Sequence, residues 1–366
     1  MKIFMYSDVH ISKTSSILPL TSDNPKYTYR QNMIIETGKY LAEIIDNEKP
    51  DIIINLGDTF DQHTVTSYDI DVASEFFKCF RYINIPHLVL VGNHEMINYD
   101  YYAIKILSNI DNITVITEPS NVDLEFIASL HPDAATTIQS ANNEIKSAKI
   151  ALMPYMEYKD ILNFPDGEFL FSHIDIMGMQ IRGDYELPDG VSKEQLAKYK
   201  LVFNGHIHKP SFKNNVVNVG SITTHSFADD NESVPQCYIF DTNTLDLKTF
   251  KPKICPLFRK FEMQNEMDLV KYLNYLDKDY KYVLQITCPF ELKENVKELL
   301  KSAEFVIASK LNVKVNKEIQ QDDNTKVEIQ SNVDIKKSFT EFLDTVDELK
   351  YPKQLYFDIL QEVKNV

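Results

Sequence analysis

Tryptophan is absent from the 366-residue chain, and its aromatic bulk comes from 20 Tyr and 21 Phe. With 43% hydrophobic and 25% charged residues, a packed core remains within reach. Cysteine is scarce: Cys79, Cys237, Cys255 and Cys288 stand far apart and form no CxxC pair, which excludes a disulfide framework and a zinc ribbon. A reducing, cytoplasmic setting is the matching expectation. No stretch of about eighteen apolar residues occurs, and the opening segment MKIFMYSDVH passes from a short apolar run directly to Asp and His. Neither a membrane span nor a secretory leader is expected. Internal repeats and low-complexity tracts are missing too, which removes solenoid architectures. Basic residues are in deficit, 38 against 54 acidic, for a formal charge of −16. A chain with that balance does not coat nucleic acid by bulk attraction. Bound divalent cations would offset some of the charge locally, and a partner subunit could supply phosphate contacts.

The length exceeds what one hydrophobic core usually serves, so a main domain of about 250 residues with a smaller appendage is expected. Early in the chain, apolar runs of strand length alternate with helical stretches, the pattern of an α/β fold. Strands are expected at 3–6, 52–55, 88–91, 150–153, 169–171 and 201–203, with helices over 33–46 and 72–80. Plain strands follow at 216–219, 237–240 and 247–250, and two facing sheets with helices outside would accommodate them all. The character changes near Pro252 and Pro256, after which 282–287 and 305–308 read as strands around a helix over 292–302. Residues 320–332 are polar and contain QQDDNT, so they read as a linker or solvated loop. Beyond them Ile335, Phe339, Phe342, Val346 and Leu349 recur at helical spacing, and after Tyr351-Pro352 so do Leu355, Ile359, Leu360 and Val363.

Chemistry-bearing residues follow five of the apolar runs at once. KIFMYSDVH supplies Asp8 and His10, DIIINLGDTFD supplies Asp58 and Asp61, HLVLVGNHE supplies Asn93 and His94, EFLFSHID supplies His173, and KLVFNGHIH supplies His206 and His208. Side chains at the carboxyl ends of strands in an open α/β sheet converge on one crevice, so sequence distance is no obstacle to their meeting. Gly57, Gly92 and Gly205 immediately precede Asp58, Asn93 and His206, where a tight turn lets the backbone present a ligand. Carboxylate, amide and imidazole donors without thiolates suit manganese, iron or zinc at a reactive site better than calcium or a structural zinc. Hydrolysis of a phosphate ester needs a nucleophilic hydroxide and neutralisation of developing charge, which a pair of divalent ions supplies. Taken singly, DxH suits a strand-end turn, and His173 on an apolar run suits a satisfied core histidine. GDxxD, GNHE and GHxH carry more weight, because alternate residues of an extended segment project both imidazoles of GHxH to one side. The fixed order of all five outweighs the separate bland readings. His63, His87, His131 and His225 lack a motif and read as structural or surface groups.

The ordered set DxH, GDxxD, GNHE, a lone His and GHxH resembles the signature of the calcineurin-like metallophosphoesterases over roughly residues 1–250. Within that superfamily the chain looks most like the SbcD-type nuclease subunit of double-strand-break repair complexes, including phage recombination endonuclease subunits. GDTFD, the MPY segment at 153–155, and Gly220-Ser221 after GHIH carry this closer likeness. The resemblance implies a four-layer metallophosphoesterase sandwich of two facing sheets flanked by helices over residues 1–252. A small α+β capping module that touches DNA would occupy 253–318, followed by a linker at 319–332 and a helical partner-docking tail at 333–366.

It implies further that Asp8, His10 and His208 hold one metal, that Asn93, His173 and His206 hold a second, and that Asp58 bridges them, the ions being two Mn2+. His94 would protonate the leaving 3′ oxygen or orient the scissile phosphate. Asp61 stands where some family members carry a second histidine, so it either contacts the transition state or orients a ligand histidine. Lys248, Lys251, Lys253, Arg259 and Lys260 would contact phosphate or form a solvated charged loop. The tail would dock on an SMC-like coiled-coil ATPase or pack back on its own domain. The expected protein is a homodimeric, manganese-dependent DNA nuclease, exonucleolytic on duplex ends and endonucleolytic on single strands. It would work in the cytoplasm, that of the host if phage-encoded. A small-molecule phosphodiesterase or phosphatase is the alternative, and a non-catalytic scaffold a third reading.

Overall fold

The computed structural model describes residues 1–12, 18, 24–98, 101–110, 112–122, 149–161, 163–182, 185–224, 226–227 and 232–314. The chain enters its first sheet with β1 (Lys2–Tyr6), crosses through helix α1 (Tyr29–Glu48) to β2 (Ile52–Asn55), then through α2 (Ser67–Lys78) to β3 (His87–Leu90), and adds β4 (Ile113–Ile116). A second sheet follows from β5 (Ser120–Val122), β6 (Ile150–Met153), β7 (Phe169–Ser172), β8 (Leu201–Asn204), β9 (Ser211–Lys213) and β10 (Val216–Asn218), with the short helix α3 (Lys193–Leu196) before β8. Two last strands, β11 (Cys237–Asp241) and β12 (Leu247–Phe250), return to the first sheet. The strand orders are β12-β11-β1-β2-β3-β4 and β9-β10-β8-β7-β6-β5. In each sheet four neighbouring strands run parallel, β1 to β4 in one and β6, β7, β8 and β10 in the other.

Alternation along β1 explains the layering. Ile3 and Met5 face the seam between the sheets, with Ile52, Ile54, Leu88, Leu90, Phe171, Phe203 and Phe240. Phe4 and Tyr6 face the other way, against Ile34 and Leu41 of α1 and Val72 and Phe76 of α2. The outer face of the second sheet packs Leu170 and Val202 on Leu196 and Tyr199. Helices, sheet, sheet and outer cover make up the expected four layers, each large buried side chain contributing about 1.5–3 kcal/mol. Helix α1 starts four residues before its apolar spacing suggests, because Thr28 and Gln31 form a capping box. The strands at β4 and β5 were not expected from sequence: both are short edge strands with few inward residues.

A third sheet is a parallel βαβαβ unit: β13 (Leu257–Glu262), α4 (Glu266–Tyr275), β14 (Tyr282–Pro289), α5 (Lys293–Lys301) and β15 (Val306–Lys314), in the order β13-β14-β15. Leu257, Leu269, Leu284, Ile286 and Val296 fill one face. On the opposite face Phe258 and Val283 pack with Leu18, Tyr29 and Phe227, so this sheet shares a compact unit, Met1–Asn316, with the sandwich. Lys317–Val366 form a second unit, and the expected linker at 319–332 and helical tail at 333–366 lie outside the described residues. Among the described residues no helix is long and apolar enough to cross a membrane.

His87 opens β3 as a core histidine. It is buried, its Nε2 lies 3.0 Å from the Tyr6 hydroxyl, and the rings of Phe77 and Phe80 are 5.6 and 5.1 Å away. Burial pushes its pKa down to about 3. The folded value lies below the unfolded one, so the unfolded chain binds the extra proton and stability falls as pH drops from above 6.5 toward 3. Between pH 7 and pH 5 this residue alone is expected to cost about 2 kcal/mol. Urea unfolding of wild type and His87→Phe at both pH values should show the variant lacking that part of the loss; an identical pH slope would refute it.

Candidate metal centre

Every ligand motif leaves the carboxyl end of a parallel strand. Asp8 and His10 follow β1, Asp58 and Asp61 follow β2, Asn93 and His94 follow β3, His173 follows β7, and His206 and His208 follow β8. Two sheets therefore contribute to one centre. Asp8, His10, Asp58 and His206 have φ values of 56°, 49°, 51° and 72°, a left-handed backbone costing non-glycine residues on the order of 1 kcal/mol each. Packing holds them there: Asp8 and His10 donate backbone N–H bonds of 3.0 Å to the carbonyls of Gly57 and Asp58. A Cβ on Gly57, whose φ is 109°, would lie 2.5 Å from His173 Nδ1, and one on Gly92 would lie 2.1 Å from Asp58 Oδ1. Only glycine lets these loops close on the ligands.

The side chains form two groups. In one, His10 Nε2 and His208 Nε2 are 2.9 Å apart, with Asp8 Oδ1 3.7 and 3.8 Å from them. In the other, Asn93 Oδ1 lies 3.1 Å from His173 Nε2 and 3.0 Å from His206 Nδ1. Asp58 Oδ2 reaches both, 3.3 Å from His173 Nε2 and 3.9 Å from His10 Nε2. His94 stands alongside, its ring centroid 4.8 Å from that of His10, its backbone N–H on Asp58 Oδ1 at 3.0 Å and its Nδ1 on the Asp61 carbonyl at 2.6 Å. The Asp61 carboxylate lies 3.4 Å from His10 Nδ1. The structure thus brings together all nine residues singled out from the sequence. His63 is exposed, with its ring stacked 6.3 Å from His94.

Several imidazoles are gripped from behind. His173 donates from Nδ1 to the Leu56 carbonyl at 2.7 Å, and His206 Nε2 lies 2.9 Å from Asp175 Oδ1. An imidazole that gives its N–H away on one side offers a lone pair on the other, which fixes which nitrogen faces the centre.

Charge balance dominates the interior. Asp8 and Asp58 are buried, and neither Asp8 oxygen has a hydrogen-bond partner among the described residues. Burial opposes ionisation of Asp8, yet the imidazoles of His10, His173 and His208 hold its carboxyl below the usual range. Asp58 is depressed as well: burial again opposes, and His173, His10 and His94 prevail. The imidazoles respond in kind. Burial works against a charge on His10, but Asp61, Asp8 and Asp58 raise it to about 10; for His173, Asp58, Asp8 and Glu95 overcome burial to give about 9. Buried carboxylates with orphaned oxygens, beside imidazoles and an amide oxygen and without thiolates, are a donor set fitted to divalent cations.

Residues 1–210 match the calcineurin-like phosphoesterase family. The chain belongs to that family. Exonuclease subunit 1 of Enterobacteria phage T4 is 21% identical to this phosphoesterase over 329 residues, covering 84% of it and 87% of the phage protein. The DNA double-strand break repair protein Mre11 of Saccharolobus solfataricus is 29% identical over 118 residues, 32% of this chain and 29% of that one. Among solved structures, a novel archaeal phosphodiesterase aligns with 69% of this chain and 100% of its own at 15% identity, with a TM-score of 0.35.

Three residues that hold the phosphoesterase site together were not singled out from the sequence. Asp175, two places after His173, carried a faint signal as the last residue of SHID. Glu95, the last of GNHE, is buried and accepts N–H bonds from Gly92, Phe60 and Asp58 at 2.7, 2.8 and 3.2 Å, pinning two ligand loops together. Burial, with the Asp58 charge, raises its pKa to about 7. Arg30 has no local signal at all. Buried near the start of α1, it donates to the carbonyls of His10 at 2.7 Å and Thr224 at 3.0 Å and to Ser12 Oγ at 2.9 Å.

Because His10 and His173 are protonated at neutral pH without a cation, metal binding must release those protons, and affinity must rise with pH. Calorimetric titration of the apo protein with Mn2+ in two buffers of different ionisation heat is expected to report proton release at pH 7, and tighter binding at pH 8 than at pH 6. A pH-independent affinity would rule out this charge balance.

Proposed function

We propose that this phosphoesterase is a manganese-dependent DNA nuclease, a duplex exonuclease and single-strand endonuclease that works with two metal ions. The observation that carries the reading is the sharing of Asp58 between two ligand groups, with a histidine outside both. Asp8, His10 and His208 would hold one ion and Asn93, His173 and His206 the other, with Asp58 between them. Bound divalent ions supply Lewis acidity and a hydroxide nucleophile near neutral pH. His94 keeps Nδ1 on the Asp61 carbonyl, which leaves Nε2 to protonate the departing 3′ oxygen. Asp61 acts through His10, whose Nδ1 it faces.

DNA as substrate is supported by the likeness to a phage exonuclease subunit along 84% of the chain, and by the partial likeness to Mre11. Electrostatics pull the other way. Of the basic residues near 253–318, Lys248 pairs with Glu48, Lys253 pairs with Asp279, and Arg259 is buried on the carbonyls of Phe258 and Ser233. With a net charge of −16, phosphate contacts then fall to bound metal, to a second protomer of a homodimer, or to a coiled-coil SMC-like ATPase held by residues 333–366. The same charge favours the alternative reading, a small-molecule phosphodiesterase or phosphatase.

Purified protein with Mn2+ is expected to degrade linear duplex DNA, and His94→Ala to slow this by about 10²–10⁴-fold while metal stoichiometry stays at two. Turnover of small phosphodiesters with none of DNA would reject the nuclease. Co-purification with the ATPase should be lost on truncation after Asn332; retained association would reject the docking role of the tail.

A further inference from the structure

Beside the candidate metal centre is a cavity of about 240 Å³, lined by Ile11, Asp61, Gln62, Thr64, Tyr68 and Asp69 among others. It adjoins the centre directly: Ile11 follows His10, and Asp61 faces both the cavity and His10 Nδ1. Its size is just under the range of pockets for drug-sized ligands, about 300 Å³ and upward, so it suits one flat ring system. Two of the lining side chains are carboxylates, and a phosphate would be repelled. Asp69 is buried at 8% exposure, and Thr66, through its N–H and hydroxyl, occupies only Oδ2. Asp69 Oδ1 has no hydrogen-bond partner among the described residues but lies beneath the surface, so the acceptors within a ligand's reach belong to Asp61, Gln62 and Thr64. Gln62 and Thr64 add polar groups at the exposed rim, Tyr68 presents a 59% exposed ring, and Ile11 and Phe60 give apolar walls.

We propose that this cavity is a nucleobase pocket, which takes the base of the nucleotide next to the scissile phosphate. A neutral, planar group with N–H donors and apolar faces suits acidic and polar side chains set between apolar walls, and in a phosphodiester substrate that group is the base. The proposal rests on the phosphodiesterase reading and sharpens it: a base must leave its stack to enter, so chain ends and single strands are cut in preference to the duplex interior.

The test uses the full chain with Mn2+ and Thr64→Trp, a substitution at an exposed rim position that fills the mouth. Hydrolysis of thymidine 5′-(4-nitrophenyl) phosphate is compared with that of bis(4-nitrophenyl) phosphate, which has no base. The variant is expected to lose about tenfold in kcat/KM on the thymidine ester, a loss typical of one stacked base, and to retain wild-type turnover of the base-free ester. An equal loss on both, or on neither, overturns the pocket. If the wild-type protein hydrolyses neither ester, the phosphodiesterase reading fails, and the pocket is judged by calorimetry on the metal-loaded protein. Thymidine 5′-monophosphate should then bind about tenfold more weakly to the variant while inorganic phosphate binds alike; unchanged thymidylate affinity overturns it.

Discussion

Asp8 and Asp58 lie buried at the end of the seam between two sheets, and Asp8 has no hydrogen-bond donor on either oxygen among the described residues. Leaving ionised carboxylates in such a place is prohibitive unless positive charge stands beside them. His10 and His173 provide it in the absence of metal by holding protons well above the usual histidine range. The site is thus a buried pair of carboxylates whose counter-charge is exchangeable, protons for divalent cations, and its construction follows from holding those charges together.

Bringing these groups together requires backbone that the rest of the fold must restrain. Four candidate ligand residues sit at positive φ, and the loops that carry them are tied by buried polar side chains. Glu95 grips the loops after β2 and β3 through three N–H groups, while Arg30 grips the loop after β1 and the Thr224 segment. Each tie joins elements far apart in sequence. The left-handed backbone at these residues and the burial of these ties belong together: the loops approach closely, and the ties hold them there.

The acidic surface of the chain acquires a sense in this setting. It provides no general positive field for a polyanion, and the basic residues near the third sheet are largely engaged by neighbouring carboxylates and carbonyls. On the proposed function, recognition of a phosphodiester is local, through the metal centre and the cavity beside it, or shared with a partner.

Much of this was legible beforehand. Inner strands announced themselves because parallel strands buried on both faces read as unbroken apolar runs, and ligands that cap those strands stood at fixed offsets from them. β4, β5 and β13 escaped notice because edge and late strands are stabilised by neighbours rather than by their own pattern. The residues after strands β1, β2, β3, β7 and β8 were therefore legible in the sequence: which side chains are candidate ligands, and in what order. The tertiary structure alone decided that Asp61 faces His10, that Asp175 orients His206, that Glu95 and Arg30 hold the loops, and that a cavity opens beside Asp61. Those are contacts between residues tens to hundreds of positions apart, and their partners are set by how the two sheets pack, which no local spacing encodes.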